Sequence, residues 1–339
     1  MDIELRSDTF TKPTSGMLAA MMGAKIGDDV FEEDGPTKNL EQNTADRFGF
    51  EAGLFCVSGT MANQIAINCH VRQGEEVICD RLSHIYLYEG GGIAANSLAS
   101  VQLLEGNRGR LSAHQIQNAI QPDNIHHPVS RLVSLENTVN KGGGAIYDHK
   151  ELLEIQKVCL QNGLALHLDG ARIFNALIET GTDSKSYGAI FDSISVCLSK
   201  GLGAPMGSVL MGSADFIKKA RRVRKRLGGG WRQSGFMAAA GLFALENQVE
   251  RLKEDHIRAR EIGFILQARP EISSLLPIET NIVIAELANG ISSGEFVRKL
   301  ESHQIKTAPF GPNQVRLVTH LDFTDEHLSE FEKRVKRMD

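Results

Sequence analysis

Lys200 is the residue whose type and position most directly suggest chemistry. It follows an apolar run, residues 193–198, and directly precedes Gly201-Leu202-Gly203. An amine at the end of a strand, next to glycines that leave room for a flat ligand, can act as a nucleophile and form a Schiff base. The alternative is a solvated lysine at a strand end, since most lysines are exposed.

Asp169 is the second candidate and stands 31 residues before Lys200, at the end of the apolar run 164–168. A buried carboxylate needs a cationic or hydrogen-bonding partner. The ring nitrogen of pyridoxal phosphate is such a partner, and enzymes that use this cofactor place an aspartate there. Asp169 could instead cap the next helix. A metal site on His167 and Asp169 is not favoured, because no third ligand stands at a recognisable spacing.

Ser58, Gly59 and Thr60 stand between a predicted strand and a predicted helix. Backbone N–H groups and hydroxyls at a helix N-terminus bind phosphate, and a simple serine cap is compatible with that role. The glycines of residues 201–207 resemble a dinucleotide fingerprint. However, the last interval is one residue too long and a proline stands where the helix should begin. A nicotinamide oxidoreductase is therefore not favoured.

Short strands that alternate with helices must position these residues. Strands are predicted at residues 52–57, 76–79, 132–135, 164–168 and 193–198, and a helix at 148–161. This alternation predicts an α/β fold with a mainly parallel sheet, and the lack of polar alternation indicates that helices cover both faces. Ligands of such sheets bind beyond the carboxyl ends of the strands, where the candidate residues stand.

The last third of the chain has a different pattern. A long helix is predicted at residues 238–260, followed by a strand at 281–286, a helix at 293–303 and a strand at 314–318. We therefore predict a large domain, residues 1–245, and a small C-terminal α+β domain, residues 246–339.

Composition excludes several classes of function. The 339-residue chain carries a net charge of −5, which argues against nucleic acid or an anionic membrane as the main partner. No run is long and apolar enough for a transmembrane helix, and residues 1–6 lack the apolar run of a signal peptide. The five cysteines show no metal-type CxxC spacing, so we expect reduced thiols in a cytoplasmic protein.

Together these elements identify a family. The chain closely resembles the low-specificity L-threonine aldolases, which are pyridoxal-phosphate enzymes of fold type I, and the resemblance extends almost from end to end. The segments that carry it are LRSDT (5–9), GDDV (27–30), SGT (58–60), His84, SLENT (134–138), HLDGAR (167–172), LSKGLG (198–203) and VRLVTH (315–320).

The resemblance implies roles for particular residues. Lys200 would form the Schiff base with the cofactor, Asp169 would pair with the pyridine nitrogen, and His84 would lie against the ring and act near the substrate hydroxyl. The cofactor-binding residues would be Ser58, Gly59, Thr60, His84, Asp169, Arg172, Lys200, Lys225 and Arg232. The substrate-binding residues would be Ser7, Phe31, His126, Arg172 and Arg316, and no metal is expected.

The resemblance also implies an assembly. Lys225 and Arg232 would approach the site of a neighbouring subunit, in a homotetramer built from two dimers. A solvated basic helix face is the alternative for this segment. Phe31 departs from the family pattern, because many members have tyrosine there and its hydroxyl is missing here.

The activity that the resemblance implies is cleavage of L-threonine and L-allo-threonine to glycine and acetaldehyde. Another β-eliminating lyase or a racemase with the same cofactor is the nearest alternative, and a non-catalytic cofactor-binding protein is a third. The presence of Lys200, His84 and Asp169 together argues against the last. Taken singly, His84 could be a surface histidine, His126 part of a polar loop and Arg316 a charge at a strand edge.

Overall fold

A computed structural model describes residues 2–338 of the chain; the two terminal residues, which the predicted domain ranges include, lie outside the described part. The strands are β1 (Ile3–Glu4), β2 (Ala52–Cys56), β3 (Glu76–Asp80), β4 (Ser100–Leu104), β5 (Ser130–Glu136), β6 (Ala165–Gly170), β7 (Ser193–Cys197), β8 (Ser208–Gly212), β9 (Ile272–Leu275), β10 (Ile282–Leu287), β11 (Ile305–Lys306), β12 (Ala308–Gly311) and β13 (Gln314–Val318). The helices are α1 (Ser15–Met22), α2 (Gly35–Phe48), α3 (Gly59–His70), α4 (His84–Leu87), α5 (Gly92–Ser97), α6 (Ala113–Ala119), α7 (His149–Asn162), α8 (Ile173–Thr180), α9 (Ser184–Gly188), α10 (Ala214–Arg226), α11 (Gly235–Asn247), α12 (Leu252–Gln267), α13 (Ser293–Ser302) and α14 (Asp325–Lys336).

A seven-stranded sheet forms the centre of the larger part of the fold. Its strand order is β2-β8-β7-β6-β5-β3-β4, and β8 alone runs antiparallel to its neighbours. Every residue of β3, β7 and β8 is buried, because helices cover both faces of the sheet. The predicted α/β fold with a mainly parallel sheet is confirmed.

The predicted strands of this sheet are all present, with ends shifted by one or two residues. Strands β4 and β8 were not predicted. The β8 run follows closely after the turn that contains Lys200, and a short apolar run of this kind fits a buried helix as well as a strand. Only its pairing with β2 on one side and β7 on the other makes it a strand.

The prediction of one helix over residues 238–260 is wrong. The structure has two helices, α11 and α12, separated by residues 248–251. Helix α11 packs against α1 and α2, whereas α12 packs against β9, β10 and α14. The apolar faces of the two helices lie in different cores, so the chain must turn between them.

A four-stranded antiparallel sheet, ordered β12-β13-β10-β9, forms the C-terminal unit together with α12, α13 and α14. The N-terminal strand β1 pairs in parallel with β11, and the buried Ile3 and Leu5 contribute to the same apolar core. The domain boundary near residue 245 stays a prediction. Among residues 2–338, no helix is both long and apolar enough to cross a membrane.

Candidate active site

A cavity of about 350 Å³ lies beyond the carboxyl ends of four adjacent strands of the large sheet. Lys200 follows β7, Arg172 follows β6, Asn140 follows β5 and His84 follows β3, while Arg316 comes from β13 of the C-terminal unit. The residues that line the cavity are Ser7, Thr9, His84, Tyr88, Asn140, Arg172, Lys200, Pro309, Phe310 and Arg316. Five of the residues expected at the site thus line one cavity: strand order brings His84, Arg172 and Lys200 together, the N-terminal segment adds Ser7 and the C-terminal unit adds Arg316.

Asp169 lies next to this cavity as a buried carboxylate without a cation. Its Oδ2 accepts a hydrogen bond from Asn63 Nδ2 at 2.9 Å, and its Oδ1 accepts one from the backbone N–H of Ala171 at 3.1 Å. Within residues 2–338 no lysine or arginine forms an ion pair with it, and only 3% of the residue is exposed. A buried anion is costly unless a cation accompanies it. Asp169 is therefore suited to a positively charged group that enters with a ligand.

Arg172 differs from Asp169 in that its charge is already compensated. Its Nε and Nη2 donate to the two carboxylate oxygens of Asp8, each at 2.7 Å, and both residues are buried. Burial acts to raise the pKa of Asp8, but the charge and hydrogen bonds of Arg172 outweigh it and hold that pKa well below its usual range. Asn281 donates a further bond to Asp8 at 3.2 Å. The pair joins the N-terminal segment to the end of β6.

Arg316 presents a guanidinium that has neutral partners. Its Nη1 donates to Asn140 Oδ1 at 2.9 Å and its Nη2 to the backbone oxygen of Arg6 at 3.0 Å. Its buried Nε has no partner among the described residues. Burial and then the charge of Arg172 lower the pKa of Arg316 to about 10. A planar cation that lines a cavity without an anionic partner is suited to bind a carboxylate.

We expect Arg316→Leu to raise the KM for an amino-acid substrate by about 100-fold, since charge-assisted hydrogen bonds contribute about 1.5–3 kcal/mol. The affinity for pyridoxal phosphate should change little. Steady-state kinetics and cofactor titration would measure both, with the exposed Arg298→Leu as the control. An unchanged KM would show that another group binds the carboxylate.

His84 begins α4 and is held in place from two sides. Its Nδ1 is 3.0 Å from Glu89 Oε1, and its backbone N–H donates to Glu136 Oε2 at 2.8 Å. Burial opposes the charged form of the ring, but the hydrogen bond to Glu89 and the charge of Asp169 outweigh it and raise the pKa of His84. An imidazole with this support can accept and return a proton near neutral pH.

Glu136 anchors two loops that border the cavity. Besides its contact with His84, it accepts a hydrogen bond from the backbone N–H of Asn140 at 2.8 Å. Burial and the charge of Asp169 raise its pKa to about 7. Because it ends β5 and contacts backbone rather than the cavity, we interpret Glu136 as a residue that positions His84 and Asn140.

Lys200 stands in a tight turn after β7. The turn is closed by a hydrogen bond of 2.8 Å from the N–H of Gly203 to the Lys200 oxygen, and Gly203 has a φ of +74°, which favours glycine. The Lys200 side chain is half-buried, lines the cavity and makes no hydrogen bond to any described residue. Its amine is therefore free to react with a ligand.

The start of α3 is suited to bind a phosphate. Ser58 caps the helix by accepting from the N–H of Met61 at 3.2 Å, and Gly59 and Thr60 form its first turn. A Cβ at Gly59 would lie 2.7 Å from the sulfur of Cys197, the last residue of β7. Only glycine lets the helix start approach so near to the Lys200 turn, where its free N–H groups can bind an anion.

Eight expected residues are not among those that line this cavity: Ser58, Gly59, Thr60 and Asp169 are described above, and the other four lie on the surface. Phe31, His126, Lys225 and Arg232 are all exposed on the single chain. Arg232 pairs with Asp28 at 3.2 Å, and its guanidinium lies 6.0 Å from the centre of the Phe31 ring. The role of Phe31 and His126 in substrate binding stays a prediction, as does the approach of Lys225 and Arg232 to the site of a neighbouring subunit.

Sequence reasoning did not select several residues that build the site. They are Asp8, Asn63, Glu89, Asn140 and Asn281, of which Asp8 belongs to the LRSDT segment and Glu89 follows His84 by five positions. Asn63 could have been noticed in the sequence, because it is a polar residue within the largely apolar run of α3.

The atoms of His84, Glu89 and Asp169 that could bind a metal lie within 4.8 Å of one another. Protein hydrogen bonds account for this cluster, and the expectation of no metal stays a prediction.

Comparisons with known proteins agree with this geometry. The family model described as beta-eliminating lyase matches residues 4–289. A low specificity L-threonine aldolase of Escherichia coli (strain K12) is 41% identical over 331 residues, which cover 97% of this chain and 96% of that protein. A threonine aldolase structure from Leishmania major aligns with a TM-score of 0.83 at 22% identity, covering 98% of each chain. A structure of SPT with PLP and one of the Sphingomonas wittichii serine palmitoyltransferase align with TM-scores of 0.76 and 0.77, each at 17% identity and covering 99% of this chain and 88% of the other.

The sheet order and these structural likenesses define the fold class as that of the type I pyridoxal-phosphate enzymes. The sequence matches are more specific, because they extend over nearly the whole chain. The chain belongs to the β-eliminating lyase family, among relatives named low-specificity L-threonine aldolases.

Proposed function

We propose that this protein is an aldehyde-lyase that uses pyridoxal 5'-phosphate to cleave L-threonine and L-allo-threonine to glycine and acetaldehyde. The observation that carries the proposal is one cavity with an amine, an imidazole and a guanidinium that has no anionic partner, next to a buried carboxylate that has no cation. These groups match a cationic ring and an anionic amino acid. The name of the bacterial relative supports the same substrate.

The residues fit the aldehyde, the ring nitrogen and the phosphate of the cofactor. Lys200 would attach it, Asp169 would hold its ring nitrogen protonated, and Ser58, Gly59 and Thr60 would bind its phosphate. When bound, the cofactor supplies an electron sink for the pair left on Cα after the Cα–Cβ bond breaks. The substrate carboxylate would bind Arg316, with Ser7 and the remaining Nη1 of Arg172 beside it.

His84 would move the proton of the reaction. Since Glu89 accepts the hydrogen bond from Nδ1, the other ring nitrogen, Nε2, remains as the acceptor for the proton of the β-hydroxyl. As the Cα–Cβ bond breaks, the hydroxyl oxygen becomes the carbonyl oxygen of acetaldehyde and its proton passes to Nε2. The raised pKa of His84 favours this transfer.

We expect purified holoenzyme to cleave both L-threonine and L-allo-threonine. Each substrate should give one glycine for every acetaldehyde. Discrimination between the two requires a group that pairs with the hydroxyl in one orientation only, and Phe31 lacks the hydroxyl of the tyrosine common at its position. Product analysis would also include L-phenylserine and L-serine.

The family description, beta-eliminating lyase, keeps β-elimination as the second candidate reaction. Formation of 2-oxobutyrate and ammonia from L-threonine would favour an eliminating lyase instead. Formation of D-allo-threonine from L-threonine, the product of inversion at Cα alone, would favour a racemase.

The assembly we propose is a homotetramer of two dimers in which Lys225 and Arg232 reach a neighbouring site. Both are exposed on the chain, as is Phe31 with 71% of its surface. Mixing inactive Lys200→Ala with inactive Arg232→Ala protein should then restore part of the activity, because some sites would combine two intact contributions. The control is each variant alone after the same exchange treatment. No recovery after proven subunit exchange would contradict shared sites.

A cytoplasmic location is consistent with the state of the cysteines. Cys56, Cys69, Cys79, Cys159 and Cys197 are all buried and free in the described chain. Such thiols persist in a reducing compartment.

A further inference from the structure

Asn63, on the inner face of α3, occupies the centre of a buried hydrogen-bond network behind the cavity. Its Nδ2 lies 2.9 Å from Asp169 Oδ2 and 2.9 Å from Glu89 Oε1. Its Oδ1 lies 2.6 Å from Ser195 Oγ and 3.2 Å from His167 Nε2. One amide therefore uses both of its donors and both of its acceptor positions, and only 1% of the residue is exposed.

The two carboxylates decide which way this amide faces. An ionised carboxylate only accepts hydrogen bonds, so the amino group of Asn63 must face Asp169 and Glu89. The reverse orientation would place an amide oxygen against two carboxylates. Glu89 also accepts a hydrogen bond from Gln64 Nε2 at 2.6 Å. For the same reason the contact between His84 Nδ1 and Glu89 requires the proton on Nδ1, so that His84 donates.

The amide orientation in turn fixes the hydrogens behind it. Because Asn63 Oδ1 only accepts, Ser195 and His167 must both donate to it, and His167 carries its proton on Nε2. Burial lowers the pKa of His167 to about 4, so the ring is neutral. Its Nδ1 then accepts from Ser193 Oγ at 2.9 Å. Each hydrogen bond of this network thus runs in one direction: the serines and His167 donate towards Asn63, and Asn63 donates to Asp169 and Glu89.

The network stabilises two anions without neutralising them. A neutral amide donates to each carboxylate, whereas a lysine or arginine at the same place would compensate their charges in advance. Asp169 is therefore left without a cationic partner of its own, which suits a cationic ring nitrogen, and Glu89 remains available as an acceptor for His84. We propose that Asn63 is a positioning residue that orients the carboxylates of Asp169 and Glu89 without adding a positive charge beside them, and so couples the expected cofactor-binding carboxylate to the support of His84.

This inference rests on the proposed function, and Asn63→Asp tests it. The variant has the same shape but replaces the two donors with a third carboxylate oxygen beside Asp169 and Glu89. We expect the folded variant to bind pyridoxal phosphate at least about tenfold more weakly, with a changed visible spectrum of the bound cofactor, because a buried anion has lost its donor and gained a repulsive neighbour. Asn68→Asp, five residues further along α3, is the matched control and should bind the cofactor as wild type does.

The outcomes separate the two proposals. A wild-type protein that neither binds the cofactor nor cleaves threonine would contradict the proposed function. An active wild type together with a folded Asn63→Asp that binds the cofactor with unchanged affinity and spectrum would overturn the inference about Asn63. If Asn63→Asp does not fold, Asn63→Ala replaces it, since that variant removes the donors and adds no charge.

A measurement on the wild-type protein needs no variant. Nitrogen-15 NMR of labelled histidine should show His167 neutral with its proton on Nε2, and His84 with a proton on Nδ1. A purely structural role of Asn63 as a space-filling side chain does not require this pattern. A proton on Nδ1 of His167 would reverse the orientation of the amide and overturn the inference.

Discussion

Lys200→Ala should abolish threonine cleavage while the fold is retained. We expect turnover to fall by about four orders of magnitude or more, equivalent to about 5 kcal/mol of activation free energy, because no other described amine lines the cavity. The half-buried side chain makes no hydrogen bond to described residues, so its loss should affect stability little. Turnover would be measured as glycine release with saturating cofactor.

The control for this variant is Lys157→Ala, which removes an exposed lysine that pairs with Glu154 on α7. Borohydride treatment of the wild-type holoenzyme should also attach the cofactor permanently to the peptide that contains Lys200, as peptide mass spectrometry would show. A labelled peptide without Lys200, or a Lys200→Ala protein of normal activity, would refute the assignment.

Asp169→Asn should reduce the rate of cleavage by at least about 100-fold, roughly 3 kcal/mol of barrier. The amide has nearly the same shape but no charge, so it cannot hold the ring nitrogen of the cofactor in its protonated form. The electron sink weakens, although the cofactor can still be attached through Lys200. The measurement is kcat with saturating threonine and cofactor.

Asp183→Asn provides the comparison, because Asp183 is an exposed carboxylate before α9 without a capping hydrogen bond. It should keep wild-type activity. A near-normal kcat for Asp169→Asn would mean that another group stabilises the charged ring.

The alternation of strands and helices could be predicted because it depends on local patterns. Runs such as residues 193–198 are apolar throughout, which is typical of strands covered on both faces. Because Lys200 and Asp169 directly follow two such runs, the sequence already predicted that both lie at the same edge of the sheet. The break between α11 and α12 could not be predicted, because the local pattern is helical and the turn depends on which core each helix joins.

The family segments identified five of the ten residues that line the cavity but not their hydrogen-bond partners. Ser7, His84, Arg172, Lys200 and Arg316 were expected there and lie there. Asn63 and Glu89 were not selected, since an asparagine in an apolar helix and a glutamate after a histidine each have many ordinary explanations. Their importance depends on the approach of α3 to β6, which no local pattern encodes.

The sequence by itself determined which reactive side chains stand at the ends of strands, since strand periodicity and the adjacent glycines are local properties. Only the tertiary structure decided which charges are paired. Asp8 compensates Arg172 across 164 positions of the chain, whereas Asp169 and Arg316 keep their charges for a ligand. The physical reason is that compensation of a buried charge depends on distances of a few ångströms. These distances are set by strand order and by the positions of the N-terminal segment and the C-terminal unit against the large sheet.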